Sequence, residues 1–159
     1  MKIKVLHLVQ DLKTGGAERV IANIIEGLDR EKFEASVWCV ARGGEIADEL
    51  EEKGMDVRVL GILNYYNPIN ILKLAFLLKK AAPHIVHTHG YFASVIGRIA
   101  AKIVRISGII YHIHTTFYEN IRKKNILMEN LLTLITDKII FVSRAAKNSY
   151  LHYLKVKEK

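Results

Sequence analysis

The stretch IKVLHLVQDLKTGGAERVIANIIEGL, residues 3–28, decides the fold. Its first seven residues, Ile3 to Val9, make an apolar run interrupted only by Lys4 and His7. That composition suits a strand covered on both faces of a parallel sheet. Gly15 and Gly16 break the run. Beyond them Ala17, Val20, Ile21, Ile24, Ile25 and Leu28 recur at helical spacing, while Glu18, Arg19, Asn23 and Glu26 take the opposite face.

The same strand-then-helix unit repeats outward from this stretch. Residues 35–41 (ASVWCVA) read as a second strand, and Gly43 and Gly44 lead into an acidic helix from Glu45 to Lys53 that Gly54 stops. Residues 56–60 (DVRVL) form a third strand. Pro68 opens, and Pro83 ends, a very apolar helix in which Leu72, Phe76 and Leu77 are flanked by Lys73, Lys79 and Lys80. Strands follow at 84–88, 109–114 and 138–142, and helices at 91–105, with Arg98, Lys102 and Arg105 outward, and 120–136, patterned by Leu127, Leu131, Leu134 and Ile135. Ser143 is placed to cap the last helix. Six strands alternating with helices predict one α/β domain over residues 1–159: a doubly wound parallel sheet of about six strands with helices on both faces.

Composition narrows the classes. Half of the 159 residues are hydrophobic, enough for a real core. The single cysteine, Cys39, excludes an internal disulfide framework and sits mid-strand as an inert core thiol; it fits a reducing, cytoplasmic setting. The N-terminal apolar run is too short for a signal peptide, and no stretch reaches the roughly 18 apolar residues of a spanning helix. The expectation is a chain that is soluble or lies on a membrane. A net charge of +8, from 24 Lys+Arg against 16 Asp+Glu, favours an anionic partner. Part of the excess is in the tail, at Lys155, Lys157 and Lys159. Basic residues do not interleave with aromatics in a nucleic-acid-binding pattern, so no nucleic acid is expected. Two segments, Leu72–Lys80 and Ile121–Ile126, mix lysines with apolar residues as interfacial helices do, although packing on the sheet is the expectation for both. An anionic membrane surface, at the inner face, stays open as a partner.

In an open α/β sheet, ligands bind beyond the carboxyl ends of the strands. There the chain places Gln10, Asp11, Thr14, Gly15 and Gly16 after the first strand, and His87, Thr88, His89 and Gly90 at the fourth. His112, His114, Thr115 and Thr116 end the fifth, and Ser143 and Arg144 the sixth. The glycine pair opens a helix whose N-terminus attracts anions, so a phosphate site and an ordinary tight turn are both open readings. Neither GxGxxG nor GxxxxGK[ST] is present, so neither a dinucleotide fingerprint nor a P-loop is supported, and no cofactor is expected. No GxSxG nucleophile elbow is present either. In a strand, residues two apart share a face, so His87 with His89, and His112 with His114, each point one way. A hydrogen-bonding site for hydroxyls and phosphates is favoured over a metal site, because no carboxylate or cysteine joins at ligand spacing. His87 and His112 are the members expected to be packed in the sheet.

Four segments, in order, resemble the N-terminal half of family-four glycosyltransferases of the GT-B fold. KVLHLVQDLKTGGAERVIANIIEGLD resembles their opening strand, Gly-rich loop and helix; HIVHTHGYFASVIGRIAAK their fourth strand and helix; IIYHIHTTF their fifth strand ending in histidine; and TDKIIFVSRAAKNSYL the strand and serine that follow. The resemblance implies one of two Rossmann-like domains facing a cleft, this one on the acceptor side, in retaining enzymes without a metal requirement. By position it implies Gly15 and Gly16 near the donor phosphates, with Glu18 orienting their loop. It also implies His114 as the catalytic histidine near the transferred sugar, with His89, Thr115 and Ser143 at the cleft.

The departures shape the expected function. The chain ends at VKEK, where the family continues into a donor-binding domain, and the Arg/Lys pair that neutralises the donor diphosphate is absent. Glu18 and Glu26 match the family's E-x7-E element in spacing but lie on the first helix, a chance match. The expectation is an acceptor-binding half, inactive without a donor-binding domain or partner subunit, acting on a glycan or lipid-linked acceptor with a nucleotide-sugar donor. A binding module at a membrane, and half of a GT-B-like sugar-nucleotide epimerase, are the alternatives.

Overall fold

The computed structural model describes residues 1–116 and 123–154. The elements follow the predicted alternation: β1 (Ile3–Val9), α1 (Gly16–Glu26), β2 (Phe33–Cys39), α2 (Glu45–Glu52), β3 (Asp56–Val59), α3 (Pro68–Ala81), β4 (Ile85–His89), α4 (Tyr91–Ile103), β5 (Gly108–Ile113), α5 (Lys123–Thr133), β6 (Lys138–Phe141) and α6 (Arg144–Tyr153). All six strands belong to one sheet in the order β3-β2-β1-β4-β5-β6, every pair parallel. This is the doubly wound Rossmann-like order, in which the chain reverses its winding between β1 and β4. The expected tail lysines 155, 157 and 159 and the start of the 120–136 helix lie outside the described residues.

Side chains alternate across the sheet as the pleat requires. Leu6 and Leu8 of β1, Trp38 of β2, Val86 of β4 and Ile109 of β5 pack with Leu74 and Leu78 of α3 and Ile96 and Ala100 of α4. Val9, Val37 and Cys39 pack on the other face with Ile21 and Ile25 of α1 and Leu50 of α2. Gly97 lets α4 approach the sheet, because a methyl there would run into Leu8 and lie 2.9 Å from Thr88.

Two helix faces differ from the sequence expectation, and one residue explains both. Arg98 is fully buried rather than outward-facing. Its guanidinium grips Glu129 of α5 (2.9 Å for one of two hydrogen bonds), donates to Thr136 and lies 4.3 Å from the ring centre of Tyr111. The Tyr150 hydroxyl of α6 donates to the same carboxylate at 2.9 Å. A buried charge must be paired and hydrogen-bonded, so α5 turns Glu129 inward. Its regular stripe of Leu127, Leu131 and Leu134 consequently faces outward, 55–72 % exposed. In α3 the buried residues are Leu74, Ala75 and Leu78, while Leu72 and Phe76 are exposed; the helix is apolar on two sides and only one meets the sheet.

Removing one partner of a buried pair strands the other charge. Arg98→Met should therefore lower unfolding free energy by about 3–5 kcal/mol, and Arg98→Met/Glu129→Leu should recover part of that loss in urea denaturation. Equal loss in both variants would mean that the pair itself is not the cause.

Candidate functional site

The winding reversal between β1 and β4 opens a crevice at the carboxyl rim of the sheet. A cavity of about 560 Å³ lies there. Val9, Gln10 and Asp11 line it from the end of β1, Ala17, Glu18 and Ile21 from α1, and His89, Gly90, Tyr91 and Phe92 from β4 and the start of α4. His114, Thr115 and Asn125 complete it from beyond β5 and from α5. Two helix N-termini, those of α1 and α4, thus meet at one opening, and each favours negative charge. No lysine or arginine is among the described lining residues.

Beneath the rim runs a row of imidazoles. Sheet pairing sets His7 of β1 beside His87 of β4, and His89 beside His112 of β5. Neighbouring ring centres lie 4.2–5.5 Å apart, from His7 through His87, His89 and His112 to His114, the pairs within each His-x-His stacked and the other two tilted. His7, His87, His89 and His112 are buried, and His114 is partly exposed. His7 Nδ1 lies 3.1 Å from His89 Nε2, and His89 Nδ1 lies 3.1 Å from His114 Nε2. The face-sharing within each His-x-His pair is as expected, and so is the burial of His87 and His112. His89, expected at the cleft wall, lines the cavity although it is itself deeply buried.

Desolvation disfavours the charged imidazole. Burial, aided by the neighbouring His112, pushes His7 down to about 4, and burial pushes His114 down to about 4 in the same company. Burial and three other histidines push His87 down to about 3, and burial drives His89 well below the ordinary range. Burial lowers His112 as well. The row is neutral at pH 7. The triads His7–His87–His89 and His89–His112–His114 each offer nitrogens within 4.8 Å of one another, close enough for a metal ion. Both nitrogens of His89 are already engaged by imidazoles, so chelation at either triad would break a hydrogen bond.

The other sequence candidates separate. Thr115 and Glu18 line the cavity with His89 and His114. Gly15 and Gly16 do not; Gly15 is the residue before α1, in extended backbone, and the Glu18 carboxylate folds over the space where its side chain would stand. A side chain at Gly15 would displace the tip of Glu18, a flexible group, so the contact does not by itself demand glycine. Ser143 caps α6, its hydroxyl accepting from Ala146 N at 3.1 Å, away from the lining residues. Cys39 is buried, which pushes its thiol up to about 12 and leaves it inert. Sequence reasoning missed His7, Tyr91, Phe92 and Asn125. His7 carried a signal, a lone imidazole in an apolar strand, but only the β1–β4 pairing says what it meets.

The glycosyltransferase family 4 model matches residues 14–159. The chain belongs to that family. The capsular polysaccharide biosynthesis glycosyltransferase CapH of Staphylococcus aureus is 32% identical over 92% of this chain and 42% of its own length. The Escherichia coli UDP-Gal:alpha-D-GlcNAc-diphosphoundecaprenol alpha-1,3-galactosyltransferase is 28% identical over 79% of this chain and 33% of its own. The family 4 chain thus spans about two fifths or less of these relatives. Among solved structures, Anabaena HepE in complex with UDP and glucose superposes with a TM-score of 0.77 at 23% identity, over 95% of this chain and 41% of that one. The UDP-GlcNAc 2-epimerase of Neisseria meningitidis superposes with a TM-score of 0.61 at 16% identity, over 98% of this chain and 44% of that one. These structural likenesses show a shared GT-B domain fold.

The histidine row makes stability pH-dependent. Unfolded histidines bind protons near 6.5, whereas His7 and His114 resist until about 4 and His87 until about 3. The unfolded state therefore holds more protons across that window, and stability, complete above 6.5, is lost as pH falls toward 4. Each fully shifted histidine removes up to about 1.4 kcal/mol per pH unit. Urea midpoints should drop steeply from pH 7 to pH 5, and His87→Phe should flatten the slope by roughly one proton's share. A flat profile would contradict the buried, neutral row.

Proposed function

We propose that the cavity is the acceptor-side wall of a glycosyltransferase that moves a sugar from a nucleotide-sugar to a glycan or lipid-linked acceptor. The observation that carries this reading is the convergence of His89, His114, Thr115 and Glu18 at the switch-point cavity of a family 4 domain. In this reading His114 contacts the transferred sugar, and His89 and Thr115 bind at the cleft. Glu18 holds the Gly15–Gly16 loop beside the donor phosphates. Ser143 acts at the rim through the helix it caps.

A nucleoside diphosphate leaves with developing negative charge, which enzymes stabilise with positioned cations and helix N-termini. The cavity has the helix N-termini but no cationic side chain among its described lining residues. A second, donor-binding lobe supplies the cations, either as a further domain or as a partner subunit. The 159-residue chain should therefore release no nucleoside diphosphate from UDP-sugars above background in a coupled assay. Turnover without another protein would overturn the assignment of the cations to a second lobe.

A lipid-linked acceptor is favoured over a soluble glycan by the surface beside the cavity. Phe92, at the cavity wall, stacks on Tyr65 at 5.1 Å, and Tyr65 leads into α3. On α3, Ile69, Leu72 and Phe76 share one face and are 57–74 % exposed. Lys73, Lys79 and Lys80 accompany them with no acidic residue in the helix, and Lys80 sits 4.8 Å over the Phe76 ring. Among the described residues no helix is long and apolar enough to cross a membrane. An apolar stripe with lysines suits shallow seating on an anionic leaflet, at the inner, cytoplasmic face. The chain should co-sediment with phosphatidylglycerol vesicles but weakly with phosphatidylcholine, and Leu72→Asp/Phe76→Asp should lower the bound fraction at least tenfold without lowering thermal stability. Equal sedimentation of the variant would remove the membrane reading.

A further inference from the structure

We infer that His7, at the buried end of the imidazole row, is a positioning residue that sets His114 as an Nδ1–H donor at the cavity. The inference rests on the reading of the cavity as a ligand site, and its geometry is the chain His7 Nδ1···Nε2 His89 Nδ1···Nε2 His114, with 3.1 Å at each junction. The bonded rings are tilted by only 21° and 29° from each other, so their in-plane lone pairs and N–H bonds meet nearly head-on. All three imidazoles are neutral at pH 7, and a neutral imidazole carries one donor and one acceptor nitrogen.

Those facts allow two arrangements of protons. In one, His114 donates from Nε2 to His89 and His89 donates from Nε2 to His7. His7 then keeps its proton on Nε2, which is buried without a partner among the described residues. In the other, His7 donates from Nδ1 to His89, His89 donates from Nδ1 to His114, and His114 keeps its proton on Nδ1. The deep end then holds only a bare lone pair. Each arrangement leaves one N–H at an end of the row, and only at the His114 end, which lines the cavity, can a solvent or ligand acceptor pair it, so the second arrangement is the stable one. His114 Nδ1 is likewise shielded and has no protein partner among the described residues, yet it belongs to a ring that lines the cavity. Its N–H is paired by an oxygen acceptor of a ligand seated there, such as a sugar hydroxyl or ring oxygen. His114 then orients an oxygen and does not accept a proton from one: its second nitrogen is taken by His89.

Sequence spacing cannot show this device, because His7 and His89 are 82 residues apart and His89 and His114 are 25 apart. Long-range ¹H–¹⁵N spectra of the ¹⁵N-labelled 159-residue chain at pH 7.5 read the tautomer of each histidine directly. The expected result is the Nδ1–H pattern for His7, His89 and His114, the minority form of free imidazole. In His7→Phe the donor is lost, and the Nδ1–H share at His114 should fall several-fold. His7→Gln keeps an amide N–H and should retain it. An Nε2–H pattern for His114 in the unsubstituted chain overturns the inference, as does an unchanged His114 tautomer in folded His7→Phe. If His7→Phe does not fold, the unsubstituted chain and His7→Gln decide alone. The spectra require no turnover, so they stand or fall separately from the glycosyltransferase reading, which would fail instead if acceptor sugars left the His114 signals unmoved.

Discussion

The pairing of β1 with β4, residues 5–8 against 85–88, is the constraint on which the rest of this structure depends. It joins two halves of the sheet that are wound in opposite directions, so the loops after these strands diverge and leave a crevice. The same hydrogen-bond ladder fixes His7 opposite His87. A slip of one residue would send every side chain of the strand to the other face. The cavity and the imidazole row are therefore two outcomes of a single register, the one above the rim and the other just beneath it.

Polar groups inside the domain are handled differently at its two ends. Near the cavity the imidazoles are neutral, and His89 answers the polar demands of His7 and His114. Under α4, by contrast, a full charge is buried at Arg98 and neutralised by Glu129, with Tyr150 and Thr136 completing the network. That network ties α4, α5 and α6 together at the β5 side of the sheet. It also dictates which face of α5 turns inward, leaving its leucines exposed. A pattern of apolar spacing predicts the inner face of a helix only when no buried charge makes a competing demand.

In the proposed reading, the switch-point cavity of this family 4 domain is one wall of a cleft. Its chemistry is suited to recognising oxygen atoms: imidazoles, a threonine hydroxyl, a carboxylate and two helix N-termini, without a cationic side chain among the described lining residues. Such a surface can orient hydroxyls; under the proposed function, the neutralisation of a diphosphate falls to a facing lobe. The exposed apolar and basic face of α3 extends from that wall through Tyr65 and Phe92.

By itself, the sequence determined the element order, the parallel sheet and the placing of His89, His114 and Thr115 near the strand ends. Strand and helix periods are local, and glycines and prolines punctuate them, so these properties are written along the chain. The partners of His7 and of Arg98, the outward leucines of α5, the one-sided burial of α3 and the distance of Ser143 from the cavity lining were decided only by the tertiary structure. Each depends on which residue, tens of positions away, is packed against it, and neither spacing nor composition encodes that choice without the register of the sheet.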